Sequence, residues 1–172
     1  MGHFPCKLLI ATSNWLKMNH SATANEIIEV TQEELSRASL QKTPQEVLAV
    51  FVQPSYDLNP EVIKSSLCLS LDDVQDPGNL GTIIRLADWF GIEHIFCSTG
   101  TADVYNPKTV QATMGALARV KVHYCSLPQL IESLTDIPVY GTFLNGNIIY
   151  TESLSAHGLI VMGNEGKGVS LK

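Results

Sequence analysis

Charged residues are scarce in this sequence, and basic ones are the scarcer kind. Asp, Glu, Lys and Arg make up 16% of the 172 residues, and the formal net charge is −6. Both parts of the chain share this deficit. Residues 1–66 carry 5 basic and 7 acidic side chains, giving −2, and residues 67–172 carry 6 and 10, giving −4. The composition therefore provides no electrostatic footprint for nucleic acid, and such a partner has to be argued from a specific site.

Patterns that bind metals or enter membranes are missing as well. The four cysteines form no CxxC pair and show no metal-ligand spacing. Because most of them lie in apolar, strand-like runs, we interpret Cys6, Cys68, Cys97 and Cys125 as reduced core residues. We find no signal-peptide pattern and no apolar run long enough to cross a bilayer. We therefore expect a cytoplasmic protein without a metal or a membrane segment.

Apolar residues make up 45% of the chain, which is enough to build a core in one ordinary domain or two small ones. We divide the chain into a small α/β domain at residues 1–53, a linker at residues 54–66 and a second domain at residues 67–172. In the first domain, apolar runs predict strands at residues 6–11, 26–30 and 47–52. Thr31 followed by Glu34 has the pattern of a capping box, and it predicts a helix that continues to about Ser39.

The second domain alternates apolar runs with helical patterns, which is typical of a parallel α/β sheet. Val110, Met114, Leu117 and Ala118 supply the apolar stripe of a helix that begins at Pro107. Strands are predicted at residues 67–71, 92–97, 120–125, 139–144 and 158–162, and helices after Asp76, after Asn106 and at residues 127–134.

Two stretches of the second domain could carry chemistry. The first is the turn and helix after residue 71, where Asn79 and Gly81 would let the backbone approach a ligand at a helix N-terminus. Arg85, further along this helix, offers a planar fork for phosphate or carboxylate. The alternative is structural, because asparagine is also among the best N-caps and Arg85 would then be a solvated surface charge.

The second stretch is Gly163–Gly168, whose sequence GNEGKG follows a buried strand directly. Its spacing matches neither a Walker A loop nor a dinucleotide-binding fingerprint. Glu165 is unusual in such a small loop and points to a specific partner, since a carboxylate there could bind backbone N–H groups. The alternative is a plain turn between a strand and a helix.

Taken together, the two stretches are far more specific than either alone. Residues 76–85 (DPGNLGTIIR) and 161–168 (VMGNEGKG) closely resemble the first two motifs of the SpoU, or TrmH-type, RNA ribose 2′-O-methyltransferases of the SPOUT superfamily. Residues 87–91, 105–108 and 114–117 match the same family. The resemblance implies an α/β fold of SPOUT type, with a parallel-sheet methyltransferase domain containing a trefoil knot. It also implies that residues 1–53 are part of an L30e-like RNA-binding domain.

The resemblance further implies a cofactor, partners and roles for particular residues. Members bind S-adenosylmethionine, act on structured RNA, here ribosomal RNA more than transfer RNA, and usually form homodimers. Arg85 matches the catalytic arginine, Asn79 a residue that helps to place it, and Glu165 the glutamate of the second motif. Because a free arginine has a pKa above about 12, charge stabilisation and positioning are the safer roles for Arg85. The implied cofactor pocket consists of Thr142, Phe143, Leu144, Gly163, Asn164, Gly166 and Gly168.

The chain also departs from the family pattern. Gln111-Ala-Thr113 stands where many members have Arg-Ala-Ser, which would weaken a contact with RNA phosphate. A third motif, which completes the cofactor pocket and the knot, would follow Lys172, and the L30e-like domain would begin several dozen residues earlier. On this interpretation the 172 residues are part of a longer enzyme. By themselves they are expected to bind S-adenosylmethionine weakly or not at all and to transfer no methyl group.

Two other functions remain open at this point. The chain could be a non-catalytic module that keeps the fold for RNA binding or dimerisation, in which case the complete protein would transfer no methyl group. It could also be an unrelated nucleotide-binding α/β domain, in which case S-adenosylhomocysteine would not change the thermal stability of the complete protein.

Overall fold

The computed structural model describes residues 4–170, and the chain divides into two compact units between Ser55 and Tyr56. The first unit is a three-stranded sheet with two short helices. Strand β1 is central, pairs in parallel with β2 and antiparallel with β3, and gives the strand order β2-β1-β3. The elements are β1 (Cys6–Ala11), α1 (Ser13–Met18), β2 (Glu26–Glu29), α2 (Gln32–Ala38) and β3 (Val47–Phe51).

Most elements of the first unit follow from local sequence signals. The predicted capping box is confirmed, since the Thr31 side chain accepts from the Glu34 N–H and the Glu34 carboxylate accepts from the Thr31 N–H at 2.8 Å. Hydrogen bonds donated to the Glu34 carboxylate by the Thr31 N–H and the Thr31 hydroxyl hold the pKa of Glu34 below its ordinary value. Helix α1 is not predicted from the sequence. Its six residues are too few to show an apolar periodicity, and none of its side chains is buried.

The second unit is an open α/β sheet. Its strands are β4 (Leu67–Leu71), β5 (His94–Cys97), β6 (Lys121–Tyr124), β7 (Val139–Gly141) and β8 (Gly158–Met162), and its helices are α3 (Pro77–Trp89), α4 (Pro107–Thr113) and α5 (Leu127–Ser133). All neighbouring strands are parallel, in the order β6-β5-β4-β8-β7. The chain thus builds outward from β4 on one side through β5 and β6. It then crosses to the far edge at β7 and returns as β8 beside β4.

The core of this unit lies on both faces of the sheet. Alternation along β4 sends Leu69 and Leu71 into one apolar cluster and Cys68 into the other. Helix α3 covers the first face with Leu80, Ile84 and Ala87, all completely or almost completely buried. The opposite face is covered by Ile63, Leu127, Leu130 and Leu134. A parallel sheet covered on both faces explains why β8 (GLIVM) is an uninterrupted apolar run and why β4 (LCLSL) contains a single polar residue, Ser70.

Three expectations from the sequence differ from the structure. The segment predicted as a linker, residues 54–66, contains a 3-10 helix at Pro60–Lys64, and Ile63 of this helix is completely buried in the core. Strand β7 ends at Gly141 rather than at residue 144. Of the four cysteines, Cys68 and Cys97 are buried, whereas Cys6 and Cys125 are only partly buried.

The predicted apolar stripe of α4 is also wrong. The helix ends at Thr113, because Met114 adopts left-handed backbone angles and Gly115 follows with φ +86°. Met114 and Val110 are exposed, and the residues that face the core are Thr109 and Thr113, one turn apart. Their hydroxyls bond backbone carbonyls, which lets polar side chains occupy the buried face.

Candidate functional site

The two sequence stretches singled out for chemistry meet at one place in the fold. The carboxyl end of β4 leads into Asp72 and α3, and the carboxyl end of β8 leads into Gly163–Gly168. These strands are parallel neighbours, so both stretches lie at the same carboxyl edge of the sheet. Ligands of open α/β sheets bind outside the carboxyl ends of the strands.

Asn79 and Glu165 connect the two stretches directly. The Asn79 side-chain amide donates a hydrogen bond to a Glu165 carboxylate oxygen at 2.5 Å. Asn79 lies in the first turn of α3, whereas Asp76 is the N-cap, accepting from the Asn79 N–H at 2.8 Å. The interpretation of Asn79 as the helix cap is therefore wrong, and its side chain is free to reach the loop.

A lysine from the neighbouring helix stabilises the start of α3. The Lys108 ammonium of α4 lies 3.0 Å from the second carboxylate oxygen of Asp76. This contact, together with the Asn79 N–H, holds the pKa of Asp76 below its ordinary value. Both side chains are largely exposed, and an exposed ion pair adds little stability. We therefore assign the Asp76–Lys108 pair a role in orienting the start of α3.

The Gly163–Gly168 loop is folded on itself as a tight turn. Asn164 and Gly168 exchange two backbone hydrogen bonds of 3.0 and 2.8 Å, and the Asn164 side-chain oxygen accepts from the N–H groups of Gly166 and Lys167. A Cβ on Gly163 would lie 2.1 Å from the carbonyl carbon of Gly168. This close approach requires glycine at position 163, and it leaves Glu165 exposed at the tip.

Sequence reasoning missed two aspartates that hold this loop. Asp72 is only 9% exposed, and its carboxylate accepts from the Ser170 N–H at 2.6 Å. Asp73 accepts from the Asn164 side-chain amide through its backbone carbonyl at 2.8 Å, with its own backbone in left-handed angles at φ +59°. The available signal was two adjacent carboxylates directly after a buried strand.

Two other residues of α3 have different surroundings from those expected. Gly81 does not face a ligand, because its α-carbon packs against α4, where a Cβ would lie 2.5 Å from the Ala112 Cβ. Arg85 is exposed, and among residues 4–170 its side chain makes no hydrogen bond or ion pair. The structure thus brings Asn79 to Glu165 but does not join Arg85 to them within the chain.

The expected pocket residues after β7 lie beside the loop strand. The Thr142 N–H and hydroxyl both donate to the Val161 carbonyl of β8, at 3.0 and 3.2 Å. Phe143 is 54% exposed and Leu144 is fully exposed, so both present apolar surface at this edge. Within the described part of the chain, no three His, Cys, Asp or Glu side chains are grouped closely enough to hold a metal ion.

An open parallel sheet covered on both faces, with a glycine loop at its carboxyl edge, places the second unit among the open α/β domains. The model of the SpoU rRNA Methylase family matches residues 66–172, and the chain belongs to this family. The fold, with its parallel sheet, matches the SPOUT methyltransferases, as the motif resemblance predicted.

Curated relatives share this sequence over much of its length. The chain is 34% identical over 143 residues to the 23S rRNA (guanosine(2553)-2′-O)-methyltransferase RlmP of Bacillus subtilis, a match that covers 81% of the chain and 56% of the relative. It is 30% identical over 139 residues to a 23S rRNA (uridine(2479)-2′-O)-methyltransferase of Streptomyces viridochromogenes, covering 75% and 48%. The chain therefore spans about half the length of these two relatives.

Solved structures match both units. A protein assigned to the TrmH family of RNA methyltransferases from Porphyromonas gingivalis superposes with a TM-score of 0.86 at 41% identity, covering 98% of the chain and 69% of that protein. AviRb, a SpoU methyltransferase of Streptomyces viridochromogenes in complex with AdoMet, superposes with a TM-score of 0.81 at 26% identity, covering 98% and 70%.

Proposed function

We propose that the full-length protein is an RNA ribose 2′-O-methyltransferase that uses S-adenosylmethionine and acts on ribosomal RNA. The relatives named above are ribosomal RNA 2′-O-methyltransferases, and AviRb was crystallised with this cofactor. The observation that carries the proposal is the hydrogen bond between Asn79 and Glu165. It joins the two motif stretches, 86 positions apart in sequence, at the ligand-binding edge of the sheet.

The residues present at this edge fit an adenosyl group. The Gly163–Gly168 loop bears few side chains, while Phe143 and Leu144 offer exposed apolar surface beside it. Thr142, Asn164, Gly166 and Gly168 complete the cofactor site that we propose. When bound, S-adenosylmethionine would supply an electrophilic methyl group to the ribose 2′-oxygen, with S-adenosylhomocysteine as the leaving group and the hydroxyl proton released to solvent.

The protein's own groups would position the ribose. Glu165 fixes the Asn79 amide by accepting from its nitrogen, and we assign the Asn79 side-chain oxygen to accept the ribose 2′-hydroxyl. Arg85 contributes its planar, permanently charged fork to a phosphate or to the charge that develops on the 2′-oxygen. A guanidinium stays protonated at neutral pH and is a poor base.

We further propose a homodimer in which the site is completed by both subunits. Arg85 lies on α3 among exposed apolar side chains, with Leu86 at 50%, Trp89 at 83% and Phe90 at 73% exposed. An apolar face of this kind is typical of a two-fold interface, and dimerisation would bring Arg85 to the partner's Asn79–Glu165 pair. Light scattering should give a dimer mass at micromolar concentration, and a monomer at all concentrations would contradict this part of the proposal.

Our proposal also covers the first domain and the location of the protein in the cell. We assign residues 1–53 to an L30e-like domain that binds the RNA substrate, and we place the protein in the cytoplasm. No helix in the described residues is long and apolar enough to cross a membrane.

Transfer of a labelled methyl group tests the proposed function. Full-length protein is incubated with tritiated S-adenosylmethionine and with ribosomal or transfer RNA from a strain lacking the gene. The label should enter ribosomal RNA and survive in alkali-resistant dinucleotides, because a 2′-O-methyl group prevents alkaline cleavage. RNA binding without label would support the non-catalytic alternative, and label in alkali-sensitive positions would refute ribose methylation.

Arginine variants then test the catalytic assignment. Arg85→Ala should lower the methylation rate by orders of magnitude with little change in cofactor affinity, and Arg85→Lys should not restore it, because a point charge does not reproduce the fork. Arg119→Ala is the matched control, since Arg119 is an exposed arginine already paired with Asp88 at 2.7 Å. Near-normal activity of Arg85→Ala would refute the role of Arg85.

A further inference from the structure

Asp72 is placed to hold both ends of the glycine loop. Its backbone N–H donates to the Met162 carbonyl at 2.8 Å, directly before the loop. Its carboxylate accepts from the Ser170 N–H at 2.6 Å, directly after the loop. The residues on either side of segment 163–169 are therefore both hydrogen-bonded to Asp72, which directly follows the central strand β4.

The Asp72 carboxylate is buried and has no cationic partner among the described residues. It is 9% exposed, and within residues 4–170 it forms no ion pair with Lys, Arg or His. A carboxylate buried without a cation is costly unless its hydrogen bonds compensate for the lost hydration. The short hydrogen bond from Ser170 is charge-assisted, the strongest kind a backbone N–H can make.

We propose that Asp72 is a positioning residue for the cofactor site, which sets the affinity for S-adenosylmethionine by ordering the loop through Ser170. The inference rests on the proposed function, and it assigns Asp72 no contact with the reacting atoms. Without the Ser170 hydrogen bond, the loop end is released and has to be ordered when the cofactor binds, which lowers affinity. We expect RNA recognition to be unaffected, because the change removes only the hydrogen bond between Ser170 and Asp72.

Calorimetric titration of full-length protein with S-adenosylhomocysteine tests the proposal. Asp72→Ala should raise the dissociation constant by about tenfold or more and raise KM for S-adenosylmethionine, while KM for RNA stays within about twofold. Asp72→Asn keeps an oxygen that can accept from Ser170 and should restore most of the affinity, leaving a loss of about threefold. Asp57→Ala, at an exposed aspartate outside the site, controls for the loss of one negative charge.

A second variant tests the same hydrogen bond from the other side. Ser170→Pro removes the donating N–H and leaves the carboxylate intact, so it should weaken binding as much as Asp72→Ala does. The double variant should be no weaker than either single variant, because both remove one interaction. This test also decides the matter if Asp72→Ala fails to fold.

The outcomes separate the inference from the proposed function. If the wild-type protein binds S-adenosylhomocysteine and Asp72→Ala and Ser170→Pro bind it equally well, the positioning role is overturned and the methyltransferase proposal stands. If Asp72→Asn loses as much affinity as Asp72→Ala, the charge rather than the hydrogen bond matters and the inference is likewise overturned. If the wild-type protein itself does not bind, both proposals fail.

Discussion

Replacing Gly163 with alanine should open the glycine loop and weaken cofactor binding. A Cβ at this position would lie 2.1 Å from the Gly168 carbonyl carbon and 2.2 Å from the Val169 nitrogen. Ordinary contacts of a Cβ fall between 3.4 and 4 Å, so the two sides of the loop would have to separate by more than an ångström. The neighbours are backbone atoms, and no side-chain rotation can relieve the clash.

The cost of this separation follows from the hydrogen bonds that close the loop. Asn164 and Gly168 exchange two, of 3.0 and 2.8 Å, and both would be lost or badly stretched. At about 0.5–1.5 kcal/mol each, their loss costs about 1–3 kcal/mol. If the closed loop is the form that binds S-adenosylmethionine, affinity should fall by roughly fivefold to 150-fold.

Amide hydrogen exchange measures the opening of the loop, and calorimetry measures the loss of cofactor affinity. In Gly163→Ala, the N–H groups of Asn164 and Gly168 should lose protection, and the dissociation constant for S-adenosylhomocysteine should rise in the full-length protein. Gly166→Ala is the matched structural control, because its Cβ would meet only the Asn164 side-chain oxygen at 3.5 Å, and exchange at Asn164 should not change. Full protection and full affinity in Gly163→Ala would refute the assignment of the closed loop to the cofactor site.

Three further predictions concern the stability of the second unit. Burial and the neighbouring His94 lower the pKa of His123 from an ordinary 6.5 to about 4, so between pH 7 and 5 the unfolded chain takes up a proton that the folded chain does not. The unfolding free energy of the second unit should therefore fall by about 1–2 kcal/mol over this range, and urea unfolding should show that His123→Phe removes most of the loss. Tyr124→Phe should cost about 1–2 kcal/mol, because its hydroxyl donates to Ala102 and accepts from Val104; thermal unfolding should show no such change for Tyr150→Phe, at an exposed tyrosine. Gly81→Val should separate α3 from α4 and destabilise the protein by about 1–3 kcal/mol, and an unchanged melting temperature would contradict the close packing of these helices.

Local signals in the sequence were sufficient for most elements of the fold. The bounds predicted for β1, β4 and β8 are confirmed, because each is a mostly apolar run, interrupted by Lys7 in β1 and Ser70 in β4, that is bordered by polar or turn residues. Gly91 lies where the helical pattern of the sequence ends, and it has φ +71° just beyond Phe90, the C-cap of α3, a conformation that glycine adopts without strain. These features depend on neighbours in sequence, which are visible without knowing the fold.

Contacts between distant segments could not be predicted in the same way. Nothing in the order of the strands indicates that β8 inserts between β4 and β7, and this insertion is what brings Glu165 to Asn79. Gly81 is a second case in which the sequence does not identify the contact. A glycine in a helix indicates that another group packs closely against it, but the sequence does not show whether that group is a ligand or another helix. Here the neighbour is helix α4, whereas the sequence interpretation expected a ligand.

The place of β8 in the sheet also determines when the site can form during synthesis. The polar contacts of the site join residues 86, 91 and 98 positions apart, and a ribosome adding about 5–20 residues per second needs roughly 5–20 seconds to make that length. Until β8 emerges, β4 has one unpaired edge and β7 has no partner, and such edges invite pairing with other chains. A nascent chain that stops before Gly158 therefore leaves one edge of β4 unpaired and lacks the contacts of the site, so β8 both covers that edge and brings the two motif stretches together.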